Sequence, residues 1–306
     1  MNTQAEVQAV TDIANSAPSL STSAMGAEMS TGVWSGRRKD SFASEKVNYD
    51  AGADKNVASV YKALLGECDE LDAVKKHIGN VRNHVHYHYT LPWSDGGMRL
   101  LTTAAYFDYH EKMTGAQATF DVLVNTFLNA YDWEVTQAQV RLGTLFNPNE
   151  YPSKDSIAEK FYFNIHYIPL PEAGDFRLDI GNAQAQHLKD SYNNYYQNRF
   201  DTAMADIWQR LLEPLKNLSE KMDYADHEDK KRFKNTIVDN VLAIVDVMRM
   251  ANVHGDPQMN AVQNKLEGAL RHVTPEALRE DCYLRQTTKK AADDIIRQIN
   301  ALPSLM

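Results

Sequence analysis

The chain has 306 residues, 43% of them hydrophobic and 24% charged, with a formal net charge of −9 at pH 7. That length and balance exclude wholesale disorder and allow one large core or two modest ones, while the acidic excess gives no global electrostatic footprint for nucleic acid. Fourteen glycines and ten prolines favour long elements over a turn-rich β-sandwich, and two cysteines, Cys68 and Cys282, form neither a disulfide framework nor a C-x-x-C motif.

Residues 1 to about 30 are rich in Ser, Thr, Ala and Gln, with too few large apolar groups to offset ordering, and are expected to form an arm that is flexible or ordered only on a partner. A basic cluster, Arg37, Arg38 and Lys39, follows Trp34. From about Asn48 to Tyr89 the residues Val57, Val60, Tyr61, Leu64, Leu65, Cys68, Leu71, Val74, Ile78 and Val81 recur every three or four positions, which predicts helix. Asp95-Gly96-Gly97 stops it. A second helix is expected from about Arg99 to Glu111 and a third from Ala116 to about Phe146. Ser153 is the expected N-cap of another.

Strands are expected only in the middle, at Phe161–Ile168 and at Phe176–Ile180, where Asp175, Arg177 and Asp179 share one face. Pro169, Pro171 and Gly174 between them suggest a small β-hairpin. Further on, Met204, Trp208, Leu211, Leu215, Leu218 and Met222 form a heptad seam that contains Pro214. After the polar break 223–231, Phe233, Ile237, Val241, Ile244, Met248 and Ala251 form a second stripe, so an antiparallel helical hairpin is expected. Shorter helices follow Asp256-Pro257 and Thr274-Pro275, each with a cap before a proline at the first helical position. The expected fold is mainly α: a long-helix bundle with an antiparallel coiled-coil-like hairpin and a small β-hairpin. The expected segments are an arm to residue 30, a helical domain over 31–182, and the long hairpin with C-terminal helices over 183–306.

Phosphate-binding loops, H-E-x-x-H, G-x-S-x-G and the Glu-x-x-His pairs of di-iron bundles are absent from the sequence. His84, His86 and His88 alternate, and on a strand could share a metal, but the helical pattern turns them apart, so no metal is expected. Asp175, Arg177 and Asp179 could serve a hydrolase, although a solvated strand face accounts for them more simply. Trp34 with Arg37, Arg38 and Lys39 could stack bases and meet phosphates, or be an aromatic anchor flanked by ion pairs. No apolar run reaches the length of a membrane span, and the two thiols are expected to stay reduced in a cytoplasmic protein. No secretory signal is expected at the start, which has no basic opening or apolar run and carries Glu6 and Asp12.

Several motifs carry a resemblance: Trp34-Ser35-Gly36-Arg37-Arg38, Thr90-Leu91-Pro92-Trp93 with Asp95-Gly96 and Arg99-Leu100-Leu101, Leu142-Gly143-Thr144-Leu145-Phe146, Tyr151-Pro152-Ser153, and Pro169-Leu170-Pro171 with Gly174-Asp175-Phe176-Arg177. From Trp34 onward the chain resembles a family of uncharacterised proteins of tailed bacteriophages and proteobacteria, often encoded near a MoxR-like AAA+ ATPase and a von Willebrand factor A type protein. The resemblance implies a phage or prophage origin and a role beside a remodelling ATPase, and supplies no catalytic residue. The expected function is a non-enzymatic helical interaction protein without cofactor, forming a homo-oligomer or acting as adaptor to an AAA+ ATPase or host complex. A nucleic-acid-binding accessory of phage replication or recombination is the alternative, which the acidic balance disfavours, and an inhibitor of host defence is another.

Overall fold

A computed structural model describes residues 20–170, 182–224, 231–252 and 255–302. The chain is mainly helical with small antiparallel sheets. Contacts divide it into two compact units: one takes residues 20–28, 87–109 and the described chain from 167 onward, the other 29–86 and 110–166. The segments drawn at residues 30 and 182 follow composition; these units follow contacts, and each is assembled from non-consecutive stretches.

Residues 1–19 of the expected arm lie outside the described residues. From Leu20 the chain is structured: α1 (Leu20–Ser23) leads into β1 (Ala24–Gly32). Strand β1 pairs antiparallel with β5 (Arg99–Thr102) in the register Ala24↔Thr102 to Ala27↔Arg99. The four-stranded sheet runs β4 (Leu91–Pro92), β5, β1, β6 (Tyr162–Pro169). As an inner strand, β1 needs small residues, and Ala24 and Ala27 are buried. A composition that suggests disorder is here the composition of a crowded strand.

The helix expected over 48–89 is a mixture. Strand β2 (Arg37–Asp40) runs into α2 (Ser41–Asp50), and β3 (Val60–Ala63) returns antiparallel to β2. Positive φ at Gly52, Asn56 and Gly66 reverses the chain where a helix cannot continue. Only α3 (Asp69–Val81) keeps the expected stripe, burying Leu71, Val74, Ile78 and Val81. Cys68 at the N-cap position makes no side-chain capping bond to the helix backbone, and Asp69, Glu70 and Asp72 in the first turn favour the helix dipole instead. A π-helical turn (Arg82–His86) and α4 (Tyr87–Tyr89) follow.

The helix expected from Arg99 is also corrected, since β4 and β5 form a hairpin around the Asp95–Gly97 turn. Leu100 and Leu101 are both buried, so the strand is covered on both faces and shows no alternation. The second and third expected helices are largely one, α5 (Tyr106–Leu142), in which Gly115 is tolerated in open space. Short α6 (Lys154–Ala158) has Ser153 as N-cap, accepting from the Ser156 amide at 3.3 Å. The first arm of the expected β-hairpin is β6, at a sheet edge; the second arm, Phe176–Ile180, lies outside the described residues.

In the C-terminal half, α7 (Asn182–Met222) and α8 (Ile237–Ala251) match the two expected stripes, with residues 225–230 between them outside the described set. Trp208, Leu211, Leu215, Leu218 and Met222 are buried, and α7 continues through Pro214. Two capped helices follow as expected, α9 (Pro257–Leu270) behind Asp256 and α10 (Pro275–Glu280) behind Thr274, then α11 (Cys282–Asn300). Helices α7, α8, α9 and α11 enclose one core, so the α7 seam is met within the chain by α8 and α11 together. The smaller unit has its own core around Trp34, Leu64, Leu65, Cys68, Leu71, Phe127, Tyr131 and Ile157. No helix of the described residues is long and apolar enough to cross a membrane.

Candidate functional site

Among the expected interaction residues, Trp34 is only 7% exposed, with its ring centroid 6.1 Å from Phe127 and 5.9 Å from Tyr131. It anchors a core and presents no face to a base. Gly36, at φ +64°, then turns the chain, and its carbonyl accepts from the Leu64 amide at 2.7 Å. The turn brings Arg37, Arg38 and Lys39 onto the exposed ribbon of β2 and β3.

The ribbon's two faces differ. Arg38 stands opposite Lys62, and both reach Glu150, at 3.8 and 2.6 Å; Lys62 also donates to the Leu145 carbonyl. Arg37 and Lys39 alternate with Arg38 and so take the other face, where Lys39 stands opposite Tyr61, itself exposed. Neither Arg37 nor Lys39 has an ion-pair partner among the described residues. The ribbon therefore neutralises one face and leaves the other positive.

Helix α2 follows directly on β2. Asp40 caps it, accepting from the Ala43 amide at 2.9 Å. Its inward residues are polar: Ser44 Oγ accepts from the Val60 amide at 2.9 Å, and the Asn48 amide group bonds both the N–H and the carbonyl of Ala58. Ser44 and Asn48 are buried and staple the 51–59 loop to the helix. Outward, at i, i+4 and i+7, stand Phe42, Lys46 and Tyr49, with Phe42 79% and Tyr49 85% exposed. This reverses ordinary amphipathicity, since polar groups are buried and two aromatic rings face water.

These residues line a cleft of about 650 Å³ formed by Lys39, helix α2 and the loop as far as Ala58. Its charged lining is Lys39, Lys46 and Lys55 against one acid, Glu45. Asp50 and Asp54 are exposed on the same segment outside the lining. Chemically the cleft offers two ring faces and three ammonium groups to one ligand. Sequence inspection missed it because Phe42 and Tyr49 fall in a stretch with no apolar periodicity. The available signal was the pairing of Ser44 with Asn48 opposite Phe42 and Tyr49.

The other expected positions do not converge on a site. His84 is exposed, His86 buried and His88 half-buried along the π-turn and α4, and no group of three His, Cys, Asp or Glu residues among the described ones could hold a metal. Asp175, Arg177 and Asp179 lie outside the described residues. In the larger unit Arg99 and Arg210 close on the α4 end. Arg99 donates to Thr90 Oγ1 and O at 2.7 and 2.9 Å, and Arg210 donates to the Tyr87 and Thr90 carbonyls while Asp206 holds its Nε at 2.6 Å. Burial, and secondarily Arg210, pull the Arg99 pKa down from its ordinary value. Cations on the last carbonyls of a helical segment are a C-terminal cap, a structural role.

No protein-family model, no curated protein and no solved structure matches the chain.

Proposed function

We propose that this chain is a non-enzymatic binding protein that engages a macromolecular partner through the outward face of α2 and the unpaired face of the β2–β3 ribbon. The observation that carries this is the Phe42–Lys46–Tyr49 stripe, two exposed rings held over a stapled loop beside unpaired cations. Exposed aromatics beside basic groups are costly to solubility and are characteristic of contact surfaces. The α7–α8 pair, as an antiparallel coiled-coil-like hairpin, would then be scaffold. Its seam is filled within the chain, which favours the adaptor half of the expected function over self-assembly through α7. A remodelling ATPase or host complex belongs to the class of partner such an adaptor would hold.

The test is site-specific photo-crosslinking in cells expressing the full chain, with the photoreactive residue at position 42 or 49 and, as controls, at the exposed α5 positions 122 and 140. Adducts confined to positions 42 and 49 support the proposal. Equal adducts from α5, or none from α2, reject it.

A further inference from the structure

We infer that the occupant of the α2 cleft is single-stranded nucleic acid, an inference that rests on the docking role proposed for that surface. Lys39, Lys46 and Lys55 line the cleft against one lining acid, Glu45, with Asp50 and Asp54 exposed beside it, and none of the three lysines has a carboxylate partner among the described residues. Within the lining the ammonium groups outnumber the one carboxylate, and ammonium groups held without a carboxylate partner attract phosphates locally. Phe42 and Tyr49 narrow the choice. An apolar peptide side chain needs a walled pocket in which to lose its water, whereas these rings are 79% and 85% exposed. Such rings offer open π faces, and a planar base needs only a face on which to stack. The two rings stand two helical turns apart, about 10 Å along the axis, so one strand can use both while its phosphates pass the lysines. Tyr61 beside Lys39 extends the same arrangement onto the ribbon. Duplex bases are already stacked and cannot use the rings, so the surface selects an open strand.

Binding is measured by fluorescence anisotropy of the full chain with a labelled oligothymidylate of roughly 15 nucleotides, across a range of salt. Three lysine–phosphate contacts give a slope of about −2 for log K against log salt. Lys46→Ala reduces that slope by about 0.7. Phe42→Ala and Tyr49→Ala each weaken binding by about 5- to 150-fold and leave the slope unchanged. Both rings lie outside the core, so the variants keep the parent melting temperature, and Val140→Ala on α5 changes nothing. Absent binding, equal binding of the matching duplex, equal competition by polyglutamate, or indifference to both ring variants overturns the inference. Protein adducts at positions 42 and 49 without oligonucleotide binding overturn it while leaving the docking role standing; absence of both adducts and binding rejects the two together.

Discussion

Asn48 and Ala58 are joined by two hydrogen bonds: Asn48 Oδ1 accepts from the Ala58 amide at 2.9 Å, and its Nδ2 donates to the Ala58 carbonyl at 3.1 Å. One buried side chain thus satisfies both backbone groups of a residue ten positions away and fixes the loop that closes the cleft. Asn48→Asp turns the donor into a carboxylate oxygen facing a carbonyl. It is expected to cost about 1–3 kcal/mol and to open the 51–59 loop to limited proteolysis before global unfolding. A loop as resistant as the parent's would show that this pair holds nothing.

Gly32 ends β1 where a Cβ would lie 2.8 Å from the Lys160 carbonyl and against the Tyr162 ring. Gly32→Ala is expected to destabilise by about 1–3 kcal/mol in urea unfolding. Gly79 inside α3 has nothing within 4 Å of such an atom, so Gly79→Ala is expected to stabilise by about 0.5–1 kcal/mol. Changes of the same sign at the two positions would contradict this account.

Arg285 is buried without a carboxylate partner among the described residues. Its Nη1 donates to the Leu278 and Arg279 carbonyls at 3.1 and 3.2 Å, and its guanidinium lies 4.2 Å from the Tyr224 ring centroid. Carbonyls at the end of α10 and a ring face take the place of an anion. Arg285→Leu leaves those carbonyls without their donor and is expected to cost about 1–3 kcal/mol in chemical denaturation. Arg285→Lys does not restore the parent value, because a single ammonium lacks the planar fork.

Asp293 lies between Lys289, at 2.8 Å, and Ser219, whose hydroxyl donates to it. Burial alone would raise its pKa, but the hydrogen bonds from Lys289 and Ser219 outweigh that and hold it below the ordinary 3.8. A depressed carboxylate contributes stability above its unfolded pKa, and that contribution is lost as pH falls through the folded value. Melting curves of the parent and Asp293→Asn are therefore expected to converge below about pH 4 and to separate at neutral pH. A constant gap from pH 7 to pH 3 would refute it.

The Cys68 thiol is pushed up to about 11 by burial first and by Glu134 and Glu70 after it. Its folded pKa exceeds the ordinary 9.0, so the thiol's contribution is present below that value and declines as pH rises toward 11. At pH near 8 a thiol-reactive dye is expected to label half-exposed Cys282 and leave Cys68 untouched until unfolding. Rapid labelling of both thiols in the native parent, or of Cys68 in native Cys282→Ser, would contradict this.

Caps and long stripes were legible because they depend on neighbours along the chain. Ser153, Asp256 and Thr274 start helices as their local chemistry requires, and Leu71–Val81 and Trp208–Met222 bury the faces their spacing marks. Strands were less legible. Leu100-Leu101 is covered on both faces and loses the alternation that identifies a strand, while Ala24 and Ala27 are small because neighbouring strands crowd them. The candidate surface was hardest to see, since its signal is an inversion: Ser44 and Asn48 face inward because loop backbone needs their hydrogen bonds, leaving Phe42 and Tyr49 outside.

By itself the sequence determined the helical character of this protein, its capped helix starts and the stripes of its C-terminal core, because periodicity and capping act over one or two turns. Only the tertiary structure decided that Trp34 is a core anchor, that Glu150 neutralises one face of the β2–β3 ribbon, and that Lys39, Phe42, Lys46, Tyr49 and Lys55 line one cleft. Those outcomes depend on partners far apart along the chain, and no local pattern encodes which face of an exposed ribbon a distant carboxylate will reach.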